Sequence, residues 1–292
     1  MDPEKIAERV WPGGEFVLEP LGGGITNRNF KVTLGTEVIV LRIGGKDTEL
    51  LGIDRSVEHE ASLVAAELGV APEVIGFLEP EGYLVTRFIE GNLIPVEEMR
   101  RPELVRRVAE TLRRIHDGPP IPGRFDSFRV VETYAETAAA LGVTVPEDFG
   151  WAQGIAKWIE TARAGAAPVP CHNDLLNANF IREEGQKGHI RIVDWEYAGI
   201  GDRFFDLANF SMNHEFDETT NAVLLEAYFG ELRDEDARAL RLMRFMSDFR
   251  EAMWGVVQQG ISELDFDFAG YASEHFARLR RTAAGEEFRA AL

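Results

Sequence analysis

The stretch from Pro170 to Glu196, PCHNDLLNANFIREEGQKGHIRIVDWE, decides how the rest of the chain is interpreted. Two apolar segments, residues 179–181 and 190–193, flank a polar turn with a glycine at each end, so the pattern predicts a β-hairpin. Such a hairpin would hold carboxylates close together at its mouth. The polar residues just outside its two ends are His172, Asp174 and Asn179 before it, and Asp194 and Glu196 after it.

The order and spacing of these polar residues indicate phosphoryl-transfer chemistry. His-x-Asp-x4-Asn, followed by a lone Asp after an apolar strand, matches the order of the catalytic and metal motifs of kinases. In that reaction one carboxylate accepts the proton of the attacking hydroxyl, while an Asn and a second Asp hold the metal that bridges the phosphates. The alternative is that Asp174 and Asn179 only cap turns, as these residue types often do.

Composition limits the class of protein. The 292 residues suffice for two lobes, and the absence of a long apolar run or signal-peptide core predicts a cytoplasmic enzyme without membrane insertion. The one cysteine, Cys171, excludes an internal disulfide and is expected to be a small packing residue. A formal net charge of −19 argues against nucleic-acid binding and suits a small cationic substrate.

The first ninety residues predict an antiparallel, strand-rich lobe. A glycine-rich loop at 22–27 lies between two strands, as in kinases, where missing side chains let backbone amides approach ATP phosphates. Arg42 ends a later strand where protein kinases carry the phosphate-binding Lys, and its guanidinium could clamp phosphate oxygens. Glu58, or as second choice Glu60, could pair with Arg42 from the following helix. A surface Arg and solvated glutamates are the alternatives.

Beyond a hinge at residues 86–91, whose backbone would meet adenine, the composition predicts helices. Trp151 and Trp158 are expected in the core, and His116 is expected to be a core or cap residue. The tail after Ala283 is expected to be frayed. The helices are predicted at 102–116, 128–141, 149–164, 203–214, 218–230, 234–260 and 266–284.

The chain resembles the choline/ethanolamine kinase branch of the aminoglycoside phosphotransferase family, small-molecule kinases with a protein-kinase-like fold. The resemblance rests on His172-Asn173-Asp174 with Asn179, on the blocks 192–197 (IVDWEY) and 206–210 (DLANF), and on 254–271. It implies a two-lobed α+β protein with an antiparallel β N-lobe at 1–90 and a mainly helical C-lobe at 91–292.

The resemblance also implies roles for residues at matching positions. Asp174 would be the catalytic base, with His172 bracing its loop by hydrogen bonding. Trp254 and Tyr271 would wall the pocket for a cationic group, although aromatics at helical spacing are usually core. The remaining expected ligands are Asn179 and Asp194 for Mg²⁺; Gly23, Gly24, Thr26, Asn27, Arg42, Glu58, Phe88 and Ile89 for ATP; and Glu196 and Glu215 for the substrate cation.

These residues predict an ATP-dependent, Mg²⁺-dependent kinase acting on the hydroxyl of choline or a related amino-alcohol. Glu251 stands where animal choline kinases have a second Trp one helical turn before the counterpart of Trp254, so ethanolamine and thiamine stay open as substrates. Aminoglycoside and sugar phosphotransferases are further alternatives. An inactive nucleotide-binding scaffold is the alternative outside enzymes. The sequence does not predict the oligomeric state.

Overall fold

The computed structural model describes residues 2–22, 27–185 and 189–292. Gly23, Gly24 and Thr26, which we predicted to contact the nucleotide, lie outside the described residues. Within the described ranges, no helix combines the length and the apolar character needed to span a membrane.

A five-stranded antiparallel sheet forms the N-terminal part, with strand order β1-β2-β3-β5-β4. Alternation along the strands places Phe30, Val32, Ile39 and Leu41 in one apolar cluster, against which Ile6 of the first helix packs. The elements of this part are α1 (Pro3–Val10), β1 (Val17–Leu21), β2 (Arg28–Leu34), β3 (Glu37–Ile43), α2 (Arg55–Glu67), β4 (Val74–Leu78) and β5 (Tyr83–Arg87).

The remainder is mainly helical and is built around one long helix, α9 (Asp234–Ile261), of 28 residues. Most of its second half is buried, because α5, α7 and α10 all pack on it. The other elements are β6 (Gly91–Leu93), α3 (Val96–Met99), α4 (Pro102–His116), α5 (Ser127–Ala140), α6 (Asp148–Arg163), β7 (Pro168–Cys171), β8 (Phe180–Glu183), β9 (Ile190–Ile192), β10 (Gly199–Asp202), α7 (Arg203–Asn213), α8 (Glu218–Phe229), α10 (Phe268–Ala284) and α11 (Glu286–Ala291).

The predicted hairpin is present as β8 and β9, and β6 pairs with its outer side. The hinge strand β6 runs so close to β8 that a Cβ at Gly91 would overlap the carbonyl oxygen of Arg182. A glycine is therefore required at this crossing. The second small sheet, β7 with β10, was not anticipated, because β7 begins with Pro168 and contains Pro170, which are unfavourable in strands.

Two expectations about packing were wrong. Trp158 lies on the outer face of α6 with 70% of its surface exposed, whereas Trp151 packs edge-on against Phe245. The end of the chain is the helix α11, whose Phe288 is buried and stacks on Phe245 at 5.3 Å. The tail is attached to α9 through Phe288, the buried Ala291 and a hydrogen bond from Arg238 to the Ala291 carbonyl.

Candidate active site

The loop after β7 is fixed by one carboxylate from α7. Asp206 accepts hydrogen bonds from the backbone amides of His172 at 2.8 Å and Asn173 at 2.7 Å. Asn173 has a φ of 66°, in the left-handed region, and its amide group donates to the Tyr197 carbonyl at 3.0 Å. The backbone that presents Asp174 is therefore held in place before any ligand binds.

Asp206 itself is supported from α4. His116 contacts Asp206 at 3.0 Å through Nε2 and Tyr228 at 2.7 Å through Nδ1, so it is a hydrogen-bonded core histidine. Burial alone would raise the pKa of Asp206, but hydrogen bonds from His116 and His172 hold that pKa below its usual range. An ionised Asp206 is the stronger acceptor for the loop amides.

His172 connects the catalytic loop to the hairpin. Its Nε2 lies 3.1 Å from the Val193 carbonyl, and its Nδ1 accepts the backbone N–H of Asp174 at 3.2 Å. Burial lowers the pKa of His172, so the ring is neutral with its proton on Nε2. These two bonds brace the loop, and neither ring nitrogen remains for acid–base chemistry.

Asn179 and Asp194 flank the hairpin as a pair suited to a divalent metal ion. The Asn179 amide nitrogen donates to the Asp174 carbonyl at 2.8 Å, which leaves its oxygen as the end that could ligate a metal. Asp194 follows β9 with a φ of 67°. An amide oxygen and a carboxylate are ligands that Mg²⁺ accepts, together with waters and phosphate oxygens.

Arg42 joins the sheet to this metal pair. Its guanidinium pairs with Glu58 of α2, and its Nη1 lies 2.5 Å from Oδ1 of Asp194. Of the two glutamates considered from the sequence, Glu58 makes the ion pair, whereas Glu60 is exposed. The cation is thus aimed at the place where phosphates and a metal would meet.

Arg55, which the sequence analysis did not single out, extends this network. It contacts Glu58 at 2.7 Å and Glu196 at 3.2 Å, and Asn27 donates to Glu196 at 2.8 Å. Burial and the nearby Asp194 raise the pKa of Glu196, while the arginines oppose that rise. Arg55 and Glu58 therefore connect Glu196 and Asn27 to Arg42.

A cavity of about 340 Å³ lies between the sheet and the hairpin. Its lining combines charged side chains, among them Arg42 and Asp194, with apolar ones, a combination that suits a nucleotide. Its lining includes Arg42, Phe88, Ile89, Asn179 and Asp194, all of which were predicted to bind nucleotide or metal.

Trp254 of α9 and Tyr271 of α10 meet on the other side of Asp174. Their ring centroids are 5.6 Å apart with nearly perpendicular planes. The Tyr271 hydroxyl donates to Oε2 of Glu251 at 2.8 Å. The rings approach because position 255 is a glycine, where a Cβ would lie 2.9 Å from Cδ1 of Tyr271.

Arg250 connects this aromatic pair to the predicted base. It is 1% exposed, and its Nη1 lies 2.6 Å from Oε1 of Glu251 and 3.3 Å from Oδ1 of Asp174. Its guanidinium carbon is 4.3 Å from the ring centroid of Tyr197. Sequence reasoning missed Arg250, although two adjacent charges inside the apolar stretch of α9 were a usable signal.

The environment of Asp174 holds an excess of negative charge. Burial raises the pKa of Asp174 to about 8, with Arg250 opposing the rise and Glu251, Asp194 and Glu196 adding to it. A cation bound nearby would favour the ionised form. Glu215 does not belong to this cluster, since its exposed carboxylate pairs with Arg100 at 2.5 Å.

The chain is similar to known proteins over nearly its whole length. The model of the phosphotransferase enzyme family (APH) matches residues 17–242. A crystal structure of a choline/ethanolamine kinase family protein from Mesorhizobium loti is 30% identical, with a TM-score of 0.83, covering 99% of this chain and 97% of that one. The chain belongs to the choline/ethanolamine kinase family.

Two further relatives extend the comparison. Human ethanolamine kinase 1 is 26% identical over 91% of this chain and 67% of its own length. The structure of LicA in complex with AMP has a TM-score of 0.79 at 23% identity and covers 96% of both chains. The family resemblance and the two-lobed, protein-kinase-like α+β fold predicted from the sequence are confirmed.

Proposed function

We propose that the chain is an ATP- and Mg²⁺-dependent kinase that phosphorylates the hydroxyl of choline or a related small amino-alcohol such as ethanolamine. One observation carries this proposal. Asp174 contacts both Asn179 and Arg250, and Arg250 in turn holds Glu251, one helical turn before Trp254. A base with such neighbours can accept a proton from a hydroxyl that attacks a phosphate.

On the nucleotide side, we propose that residues 1–90 cover ATP. Adenine would lie against the backbone of Phe88 and Ile89, and Arg42, oriented by Glu58, would hold phosphate oxygens. Mg²⁺ held by Asn179 and Asp194 would neutralise charge on the phosphates.

On the acceptor side, Asp174 accepts the hydroxyl proton while the loop backbone, fixed by Asp206, holds the carboxylate in position. Positioning supplies most of the rate enhancement in such reactions, because the transition state is loose. The faces of Trp254 and Tyr271, supported by Glu251, suit a small cation. A polycationic aminoglycoside would need a broader acidic cleft.

The test is turnover of ATP with Mg²⁺ and a panel of choline, ethanolamine, thiamine, kanamycin and a simple sugar. We expect transfer to choline or ethanolamine and little to the others. Preference for another acceptor would overturn the substrate assignment. ATP binding without transfer to any alcohol would favour an inactive nucleotide-binding scaffold.

Asp174→Asn tests the base. We expect kcat to fall about 10³-fold, because the amide cannot accept the proton. We also expect the melting temperature to stay the same or to rise, since a buried carboxylate with a raised pKa costs stability when it is ionised. ATP affinity, measured by calorimetry, should be retained. Asp117→Asn, at the exposed end of α4, is the matched control, and near-normal activity of Asp174→Asn would contradict the assignment.

A further inference from the structure

Glu251 is a buried carboxylate at the base of the aromatic pair. It is 3% exposed and lies one helical turn before Trp254 on α9. Its Oε2 accepts a hydrogen bond from the Tyr271 hydroxyl at 2.8 Å, and its Oε1 accepts one from Arg250 at 2.6 Å. Each carboxylate oxygen can accept two hydrogen bonds, so each retains one acceptor position.

Glu251 shares its guanidinium partner with the predicted base. Arg250 is shared between Glu251 and Asp174, so one guanidinium faces two carboxylates. Arg250, His275 and Tyr271 overcome the effect of burial and hold the pKa of Glu251 below its usual range, which keeps this carboxylate charged. A bound cation would give these two carboxylates a second positive partner.

A cation bound here would contact two kinds of group, the aromatic rings and the buried carboxylate of Glu251. These groups determine which cation is favoured. Aromatic faces accept any ammonium, whether or not it carries N–H groups. A buried carboxylate oxygen with an open acceptor position gains a charge-assisted hydrogen bond only from an ammonium that has an N–H. A quaternary ammonium would remove the same carboxylate from water and give no hydrogen bond in return.

We propose that Glu251 is a specificity-determining residue that makes the pocket prefer an amino-alcohol with N–H groups on its ammonium, such as ethanolamine, over a quaternary one such as choline. This inference rests on the proposed function and narrows its substrate class. Glu251 receives the ammonium beside Trp254 and Tyr271, and Arg250 keeps the same carboxylate in place. The hydroxyl is then directed towards Asp174, which shares Arg250 with Glu251.

The experiment measures kcat/KM at saturating MgATP for ethanolamine, N-methylethanolamine, N,N-dimethylethanolamine and choline. We expect activity to fall along the series, with the largest step, about 10- to 100-fold, between the dimethyl compound and choline, where the last N–H is lost. Equal or better use of choline would overturn the inference and leave the proposed function intact. No transfer to any of the four would overturn the proposed function itself.

Glu251→Gln assigns the preference to this side chain. The variant keeps the shape but removes the charge, so the ratio of ethanolamine to choline kcat/KM should fall at least about fivefold. Glu274→Gln, exposed on α10, should leave the ratio unchanged. An unchanged ratio in Glu251→Gln would overturn the inference.

Glu251→Gln leaves the charge of Arg250 buried with less compensation, and the variant could fail to fold. The double variant Arg250→Met/Glu251→Gln removes both charges at similar volume. The kcat of this double variant will fall for both substrates. The ratio of ethanolamine to choline kcat/KM is independent of that shared loss. If the ratio in the double variant falls as expected for Glu251→Gln, the inference is supported. A ratio equal to that of the wild type overturns it.

Discussion

The two sides of Asp174 are built differently. On the side that we propose for the nucleotide, Arg42 and Arg55 from the sheet lobe reach Asp194 and Glu196 at the hairpin, so the ionic contacts run between lobes. On the side that we propose for the amine, Arg250, Glu251 and Tyr271 come from two adjacent helices of the same lobe. A change in the angle between the lobes would alter the first set of contacts and leave the second set intact.

This difference implies that the two sides of Asp174 respond differently when ligands bind. Ionic contacts between lobes can exchange partners when a metal and phosphates arrive, because those ligands compete for the same charges. Contacts within packed helices stay close to their binding geometry, because α9 is buried along most of its second half. Substitutions on the nucleotide side should therefore alter metal and ATP dependence, and substitutions on the amine side should alter acceptor dependence.

The largest effect is expected from Asp194→Asn. Loss of the charged metal ligand should lower kcat about 10³-fold and raise the Mg²⁺ concentration needed for half-maximal rate, while the acceptor KM changes little. A Mg²⁺ titration of the rate at fixed ATP measures this effect. Asp234→Asn, exposed at the start of α9, is the control. An unaltered Mg²⁺ requirement would remove Asp194 from the metal site.

The second-largest effect is expected from Arg250→Met. It leaves Asp174 and Glu251 without their shared cation, so one of them will take up a proton, and kcat should fall about 10²-fold with the ATP KM unchanged. Arg250→Lys should recover part of the rate, since it restores the charge but not the fork geometry. Steady-state kinetics with a melting curve for each variant separates this effect from unfolding. Arg281→Met, exposed on α10, is the control, and a raised ATP KM would contradict the division between the two sides.

Trp254→Leu should raise the acceptor KM about 10-fold with a small change in kcat, because one aromatic face over the cation is lost. The ATP KM should not change. Trp158→Leu removes an exposed tryptophan from α6 and should change neither KM. An unchanged acceptor KM in Trp254→Leu would indicate that the ring has only a packing role.

Gly255→Ala is expected to have the smallest effect of these substitutions. The added methyl group would lie within 3 Å of the Tyr271 ring, so the ring must shift and the acceptor KM should rise about threefold. The gain in helix propensity, about 1 kcal/mol, offsets part of the cost in stability. Acceptor titrations of the variant and the wild type measure the shift. A lower acceptor KM in Gly255→Ala than in the wild type would mean that Tyr271 is not part of the pocket.

The sequence predicted one side of the site better than the other. Asp174, Asn179 and Asp194 lie in one contiguous stretch whose spacing reflects the hairpin, and the Arg42–Glu58 pair follows from neighbouring elements. Arg250 and Arg55 each pair with a neighbour in sequence, but they also reach the distant Asp174 and Glu196, and no local pattern encodes those long-range pairs. Glu196 and Glu215 were predicted to bind the substrate from their charge, and the sequence did not predict their arginine partners, Arg55 and Arg100.

Much of the fold was also predictable, because strand alternation and helical periodicity extend over many residues. The errors came where a single residue decides. Trp158 is aromatic but faces outwards, and the tail is held by Phe288. In both cases, burial depends on whether another part of the fold packs against the residue. The local sequence carries no information about that contact.

The positive φ angles at Asn173 and Asp194 have a consequence for attempts to make this protein more thermostable. Backbone strain of this kind costs about 1 kcal/mol or more at each residue, and glycine would relieve it. Glycine would also delete the amide that holds the Tyr197 carbonyl and the carboxylate offered to the metal. Selection for heat resistance alone would therefore favour replacements that inactivate the site, and a stability screen should leave these two positions fixed.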